Sequence, residues 1–174
     1  MVIRDWSSDV CSSDLPGAVQ PNGELVIDWS VLDSELDRLH DRGTILFQLV
    51  HPPLTFSGAV SDSEKRKMEL RYLHSFRDHL LAKGRDYSHY GFYPLDEPGL
   101  HYGKNVPILV DAATLLREAD PQFRVYTDPV PGLCRQDFEQ IYPLLDIWCS
   151  NMRLVSGLAS GDPRMQKIDR KSVG

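Results

Sequence analysis

The sequence is short of cysteine, long apolar runs, concentrated positive charge and glycine-rich loops, and each shortage removes a class of function. Its three cysteines, Cys11, Cys134 and Cys149, are widely spaced. They fit neither a disulfide framework nor the paired spacing of a zinc site, so no metal is expected. No apolar stretch approaches the roughly 20 residues that span a bilayer, so neither a transmembrane helix nor a membrane partner is expected. The net charge of −6 argues against a nucleic-acid partner, which requires a dense basic patch. The one basic cluster, Lys65-Arg66-Lys67, falls in the first turns of an expected helix and reads as a solvated face. No glycine-rich turn follows the first expected strand and no phosphate-binding loop is present, so no nucleotide cofactor is expected.

What is present is enough chain, 174 residues, to bury the core of one ordinary domain. The ends are a separate matter. Asp5 to Leu15 reads DWSSDVCSSDL, polar and aperiodic, and it is an in-frame translation of a common sequencing-adapter end. Asp169 to Val173 reads DRKSV, which translates the opposite adapter. Residues 1–15 and 169–174 are therefore expected to be adapter-derived and are set aside from fold reasoning, as a fusion scar would be. Residues 16–168 are then expected to be a fragment of a longer protein, whose localisation the sequence leaves open. The charge from 15 to 168 is 16 basic against 21 acidic, or −5, so the electrostatic argument is unaffected.

Between those ends, short β runs alternate with amphipathic helices. Leu32, Leu36 and Leu39 are spaced for a helix over 31–42, with Gly43 as its stop. The apolar run 44–50 suits a strand buried on both faces, ended by His51-Pro52-Pro53. Ser61 and Glu64 form a capping box for a long helix whose apolar face carries Met68, Tyr72, Leu73, Phe76 and Leu80, closed by Gly84. Residues 90–96 read as the next strand despite Pro94, with Glu97-Pro98-Gly99 as the exit loop. A helix over 106–119, a strand over 123–127 broken by Asp128-Pro129, a helix over 136–142 and a strand over 145–149 complete the series. This alternation implies βαβ units and a parallel sheet. Two architectures compete, the (β/α)8 barrel and the open doubly wound sheet. Functional residue types recur just after each strand: His51, then Asp96-Glu97, then Tyr126 with Asp128, then Trp148 with Asn151. In a barrel those positions share one mouth. The expected fold is therefore α/β, a partial (β/α)8 TIM barrel contributing about four central strands out of a typical total of about 250 residues.

Paired carboxylates at a strand exit can carry glycosidic chemistry, one donating a proton to the leaving oxygen and the other stabilising the positive sugar centre. An adjacent Asp-Glu pair suits the substrate-assisted variant, in which the sugar's 2-acetamido oxygen attacks the anomeric carbon. The stretch Phe92-Tyr93-Pro94-Leu95-Asp96-Glu97-Pro98 resembles the strand-four motif of the glycoside hydrolase family 123 catalytic domain, which overlaps the set called domain of unknown function 4091. The segment from Gly23 to Gly43 is similar to the one those proteins carry before strand three, and the Tyr126-Thr127 and Asp146-Ile147-Trp148 runs follow in the expected order. The resemblance covers roughly residues 19–168 in outline. It implies a β-N-acetylgalactosaminidase-like, substrate-assisted retaining enzyme, with Glu97 as acid/base and Asp96 orienting the acetamido group. His51, Tyr126, Trp148, Asn151 and Asp128 are the expected substrate-binding residues, and a carbohydrate is the expected partner. Cys149-Ser150-Asn151 departs from the family pattern.

Each of these residues also has a plainer reading. Asp-Glu-Pro is common in loops and before helices. His51 before two prolines suits a loop, Tyr126 and Trp148 suit packing, and Asp128 before Pro129 is a turn signal. His40, His74, His79 and His89 lack metal spacing and receive no role, and Tyr87 and Tyr90 are read as packing residues. Two alternatives stand beside the substrate-assisted enzyme. One is a conventional retaining glycosidase with its nucleophile on a missing strand; the other is a carbohydrate-binding barrel module without turnover. The fragment alone is expected to be inactive.

Overall fold

The computed structural model describes residues 10–11, 15–39, 44–99, 103–128, 133 and 135–149. In chain order these form β1 (Val10–Cys11), β2 (Gly17–Val19), β3 (Leu25–Ile27), α1 (Ser30–Leu39), β4 (Ile45–Gln48) and β5 (Leu54–Phe56). There follow α2 (Asp62–Ala82), β6 (Tyr90–Phe92), α3 (Val106–Ala119), β7 (Tyr126–Thr127), α4 (Arg135–Ile141), a 3-10 turn (Tyr142–Leu144) and β8 (Ile147–Trp148).

The helices form where sequence and caps agree. Asp28 Oδ1 accepts the Ser30 amide at the start of α1, and Leu32 and Leu36 face the core. At α2 the Glu64 amide donates to Ser61 Oγ at 3.3 Å while Glu64 Oε2 accepts the Ser61 amide at 3.0 Å, the reciprocal capping box. Gly84, at φ 75°, supplies the left-handed residue that ends this helix. Arg66 reaches from α2 to Glu118 of α3 at 2.9 Å, so the basic cluster expected to be solvated partly ties two helices together.

The strands correct the expected fold. A partial TIM barrel is not what the chain builds: the described strands make three small sheets with no closure. One is β1-β4-β6, all parallel; one is β7-β8, parallel; the third is β3-β2-β5. A single parallel bridge, Phe92 to Val125, links β6 to the chain just before β7. The third sheet has no place in a (β/α) repeat, because β2 and β3 are an antiparallel hairpin and β5 adds to β2 in parallel. Physically, the strands are too short to propagate a barrel's stagger. Pro94 cannot donate, so β6 ends at Phe92, and the prolines after His51 turn the chain into β5 instead of a helix. Strand β1 lies within the segment expected to be adapter-derived, and its backbone pairs with Phe47 and Gln48.

Period-two alternation divides the parallel strands into two faces. Ile45, Phe47, Tyr90 and Phe92 join the main core with α2 and α3. That core is aromatic, with Phe47 edge-on to Phe76 at 4.9 Å and Phe92 against Phe123 at 4.9 Å. Tyr93, Tyr126 and Ile147, with Leu46 packed on them, form a second cluster. Gly91 permits the close approach of the next segment, since a Cβ there would lie 3.3 Å from the Arg124 carbonyl.

Candidate functional site

The second face leads to the candidate site. The Phe92 amide donates to the Arg124 carbonyl at 2.8 Å and the Tyr93 amide to the Phe47 carbonyl at 2.8 Å. These bonds hold the exit of β6 between β4 and the β7 segment, so residues 93–97 lie beside Asp128.

Four side chains and one backbone amide meet there. The Tyr93 hydroxyl donates to Asp96 Oδ1 and also lies within hydrogen-bonding reach of the Asp128 carboxyl. The Glu97 amide donates to Asp128 Oδ1 at 3.1 Å. Tyr126 stands edge-on to Tyr93, ring centroids 5.0 Å apart at 82°. Glu97 is the only non-glycine residue with positive φ among the described residues, at 45°. Left-handed backbone of this kind costs a side-chain-bearing residue about 1–3 kcal/mol and concentrates at functional sites.

The electrostatics follow from burial without a cation. Among the described residues no lysine, arginine or histidine pairs with Asp96, Glu97 or Asp128. Burial raises the Asp128 carboxyl above its ordinary value, and the negative charge of Asp96 adds to that, against the hydrogen bonds from Tyr93 and the Glu97 amide. Burial, then the two carboxylates, push the Tyr93 hydroxyl far up. Tyr126 moves the same way, through burial first and then its contact with the Cys149 thiol. The result is one carboxyl held above its ordinary value beside an exposed one, Asp96, with the Tyr93 phenol between them. Two carboxyls in unlike settings are the arrangement that acid/base chemistry uses.

The other expected site residues lie elsewhere. The His51 ring is held by the helix layer, Nδ1 lying 3.3 Å from Glu69 Oε1 and Nε2 3.3 Å from Asp111 Oδ2. Its Nδ1 makes no aligned hydrogen bond among the described residues, so the first of these is a close approach only. Trp148 turns toward the main core, stacked on Phe138 at 6.0 Å and 16°, and its buried indole N–H has no partner among the described residues. It is therefore not a wall of the site. Tyr126 is at the site but only 1% exposed, so it backs Tyr93 and offers no open stacking platform. Asn151 lies outside the described residues. Tyr93, which sequence reasoning passed over, is central; Pro94 was the available signal that β6 stops short and that Tyr93 belongs to its exit.

The histidines given no role have structural partners. His74 contacts the Ala119 carbonyl at 2.8 Å and His89 the Asp86 carboxyl at 2.9 Å. His79 meets Asp33 at 2.7 Å and stacks on Trp29; His40 lies outside the described residues. A hollow of about 280 Å³ sits apart from the carboxylates, lined by Val19, Pro21, Phe56, Val60 and Met68 among others. No group of three or more metal-ligating side chains occurs among the described residues, and no described helix is long and apolar enough to cross a membrane. A scan against protein-family models finds no match, and a search of the curated proteins finds no relative.

Proposed function

We propose that this chain carries the acid/base centre of a glycoside hydrolase, a substrate-assisted retaining N-acetylhexosaminidase of β-N-acetylgalactosaminidase type. The observation that carries the reading is the meeting of Asp96, Asp128 and the Glu97 backbone amide around Tyr93 at the carboxyl ends of two neighbouring parallel segments. In open α/β sheets, ligands bind outside the carboxyl ends of the strands. The resemblance of the Asp96-Glu97-Pro98 motif to glycoside hydrolase family 123 supports the sugar class. In this mechanism the acetamido oxygen attacks the anomeric carbon, the bond to the leaving oxygen breaks, and Glu97 gives that oxygen its proton. Asp96 stabilises the positive oxazolinium ion, and Glu97 then takes a proton from the water that opens the ring.

Binding tests this without requiring a complete enzyme. An N-acetylgalactosamine-derived thiazoline, a mimic of the cyclised intermediate, should bind in a calorimetric titration. Asp96→Asn should weaken that binding by roughly tenfold or more, equivalent to about 1.4 kcal/mol. No binding by the unaltered protein would overturn the proposal.

A second reading has one observation in its favour, the third carboxylate. Asp128 could supply the nucleophile of a conventional retaining enzyme. An activated 2-deoxy-2-fluoro glycoside would then leave its glycosyl group esterified to Asp128, seen by peptide mass mapping.

A further inference from the structure

We propose that Asp128 is the positioning residue of this site: it pins the backbone of Glu97 in its left-handed turn and, through the Tyr93 hydroxyl, sets the orientation of Asp96. The inference rests on reading the Asp96–Glu97 pair as the working carboxylates.

The turn follows directly after Asp96, and Glu97 occupies a conformation that favours glycine. The nearest glycine in sequence is Gly99, so the chain does not use the residue that would make this turn cheap. What holds it is a bond from another segment: the Glu97 amide donates to Asp128 Oδ1 at 3.1 Å, across 31 residues of sequence. The same carboxyl shares the Tyr93 hydroxyl with Asp96. That hydroxyl has one proton and two acceptors, so the Asp128 protonation state decides how firmly the proton belongs to Asp96. With its oxygen atoms taken by an amide and a phenol, Asp128 is disposed to hold and not to attack. The titratable groups facing it are Tyr93 and Asp96 from the β6 exit and Tyr126 from β7, with Cys149 beyond Tyr126.

The test uses the whole chain labelled with nitrogen-15. In Asp128→Ala, hydrogen exchange at the Glu97 amide should accelerate about tenfold, the loss expected for one hydrogen bond. Asp128→Asn keeps an acceptor oxygen and should restore slow exchange. The Glu97 amide shift should show a step at the Asp128 carboxyl midpoint in the unaltered protein and lose that step in Asp128→Asn, which a purely structural role would not produce. If Asp128→Ala does not fold, the Asp128→Asn titration decides. Thermal melting gives an independent check. Asp128→Ala should lower Tm by about 2–4 °C, and by clearly less when Glu97→Gly is also present, because glycine needs no pin. Unchanged Glu97 exchange in Asp128→Ala, a Glu97 amide step at the Asp128 midpoint that persists in Asp128→Asn, or equal Tm losses in both backgrounds would overturn the proposal. Failure of the thiazoline to bind would overturn the carbohydrate reading and leave these results standing.

Discussion

Two aspartates bracket one strand and meet opposite fates. Asp120 stands before β7 and Asp128 after it. Asp120 is buried and Asp128 half-buried, and each is reached by a tyrosine hydroxyl and a backbone amide. Tyr87 donates to Asp120 at 2.6 Å and the Gln122 amide at 2.9 Å; Tyr93 and the Glu97 amide serve Asp128. The balance of terms differs, and so does the neighbour. At Asp120 burial is outweighed by the hydrogen bonds from Tyr87 and the Gln122 amide together with Arg77, 3.2 Å away, and the carboxyl is held below its ordinary value. At Asp128 burial prevails over the hydrogen bonds, the nearby Asp96 adds to it, and the carboxyl is held above its ordinary value. Identical residue chemistry thus gives a carboxyl held low at the entry of the strand and one held high at its exit.

Removing each aspartate sharpens the contrast, and Asp120 should show the larger effect. Asp120→Ala leaves the Tyr87 hydroxyl and the Gln122 amide without their acceptor, takes from Arg77 one of its two carboxylate partners, and should cost about 2 kcal/mol in urea unfolding at neutral pH. The sign of the pH dependence follows from its lowered pKa. The Asp120 contribution is fully present above about pH 4, the ordinary carboxylate range, and is lost as pH falls through the lowered value. The gap between Asp120→Ala and the unaltered protein should therefore close in acid. Asp128 runs the other way. Its raised pKa makes stability decline as pH rises from about 4 toward that raised value. Asp128→Asn should remove this decline and change neutral-pH stability by less than about 1 kcal/mol. A large loss in Asp128→Asn, matching Asp120→Ala, would break the comparison.

The smallest expected effect belongs to the helix-facing side. Trp148 buries an indole N–H without a partner among the described residues. Trp148→Phe gives up some packing against Phe138 and Tyr142 but removes the orphaned donor. It should shift stability by less than about 1 kcal/mol and leave thiazoline affinity unchanged. A marked loss of affinity would place Trp148 in the site after all.

The sequence made the helices legible, because their signals are local. The Ser61–Glu64 box, the stop at Gly84 and the 106–119 helix need only neighbouring residues to be read, and all three are present. The β2–β3 hairpin was legible too and was passed over. Asn22-Gly23 sits between two β runs, with Gly23 at φ 79° and the Gln20 amide bonded to the Glu24 carbonyl at 2.8 Å. Asn-Gly is the strongest short-range hairpin signal. Strand closure was not legible, since short apolar runs such as 44–50 do not specify their partners, and regular alternation was read as a barrel the chain does not close. The site divides the same way. Asp96 and Glu97 stand out as a motif, whereas Asp128 looked like a turn residue before Pro129. Its place beside them depends on the pairing of Phe92 with Val125, a contact no local pattern encodes. His51 and Trp148 stand after and within apolar runs as expected, but face the helix layer.

The most direct test of this account is a carbon-13 carboxyl titration of the folded protein, with Asp120 and Asp128 assigned by single substitution. The account predicts that Asp128 titrates above the ordinary aspartate value and Asp120 below it. An Asp128 that titrates at or below the Asp120 midpoint would contradict it, because the exit of β7 would then hold its carboxyl low as the entry does.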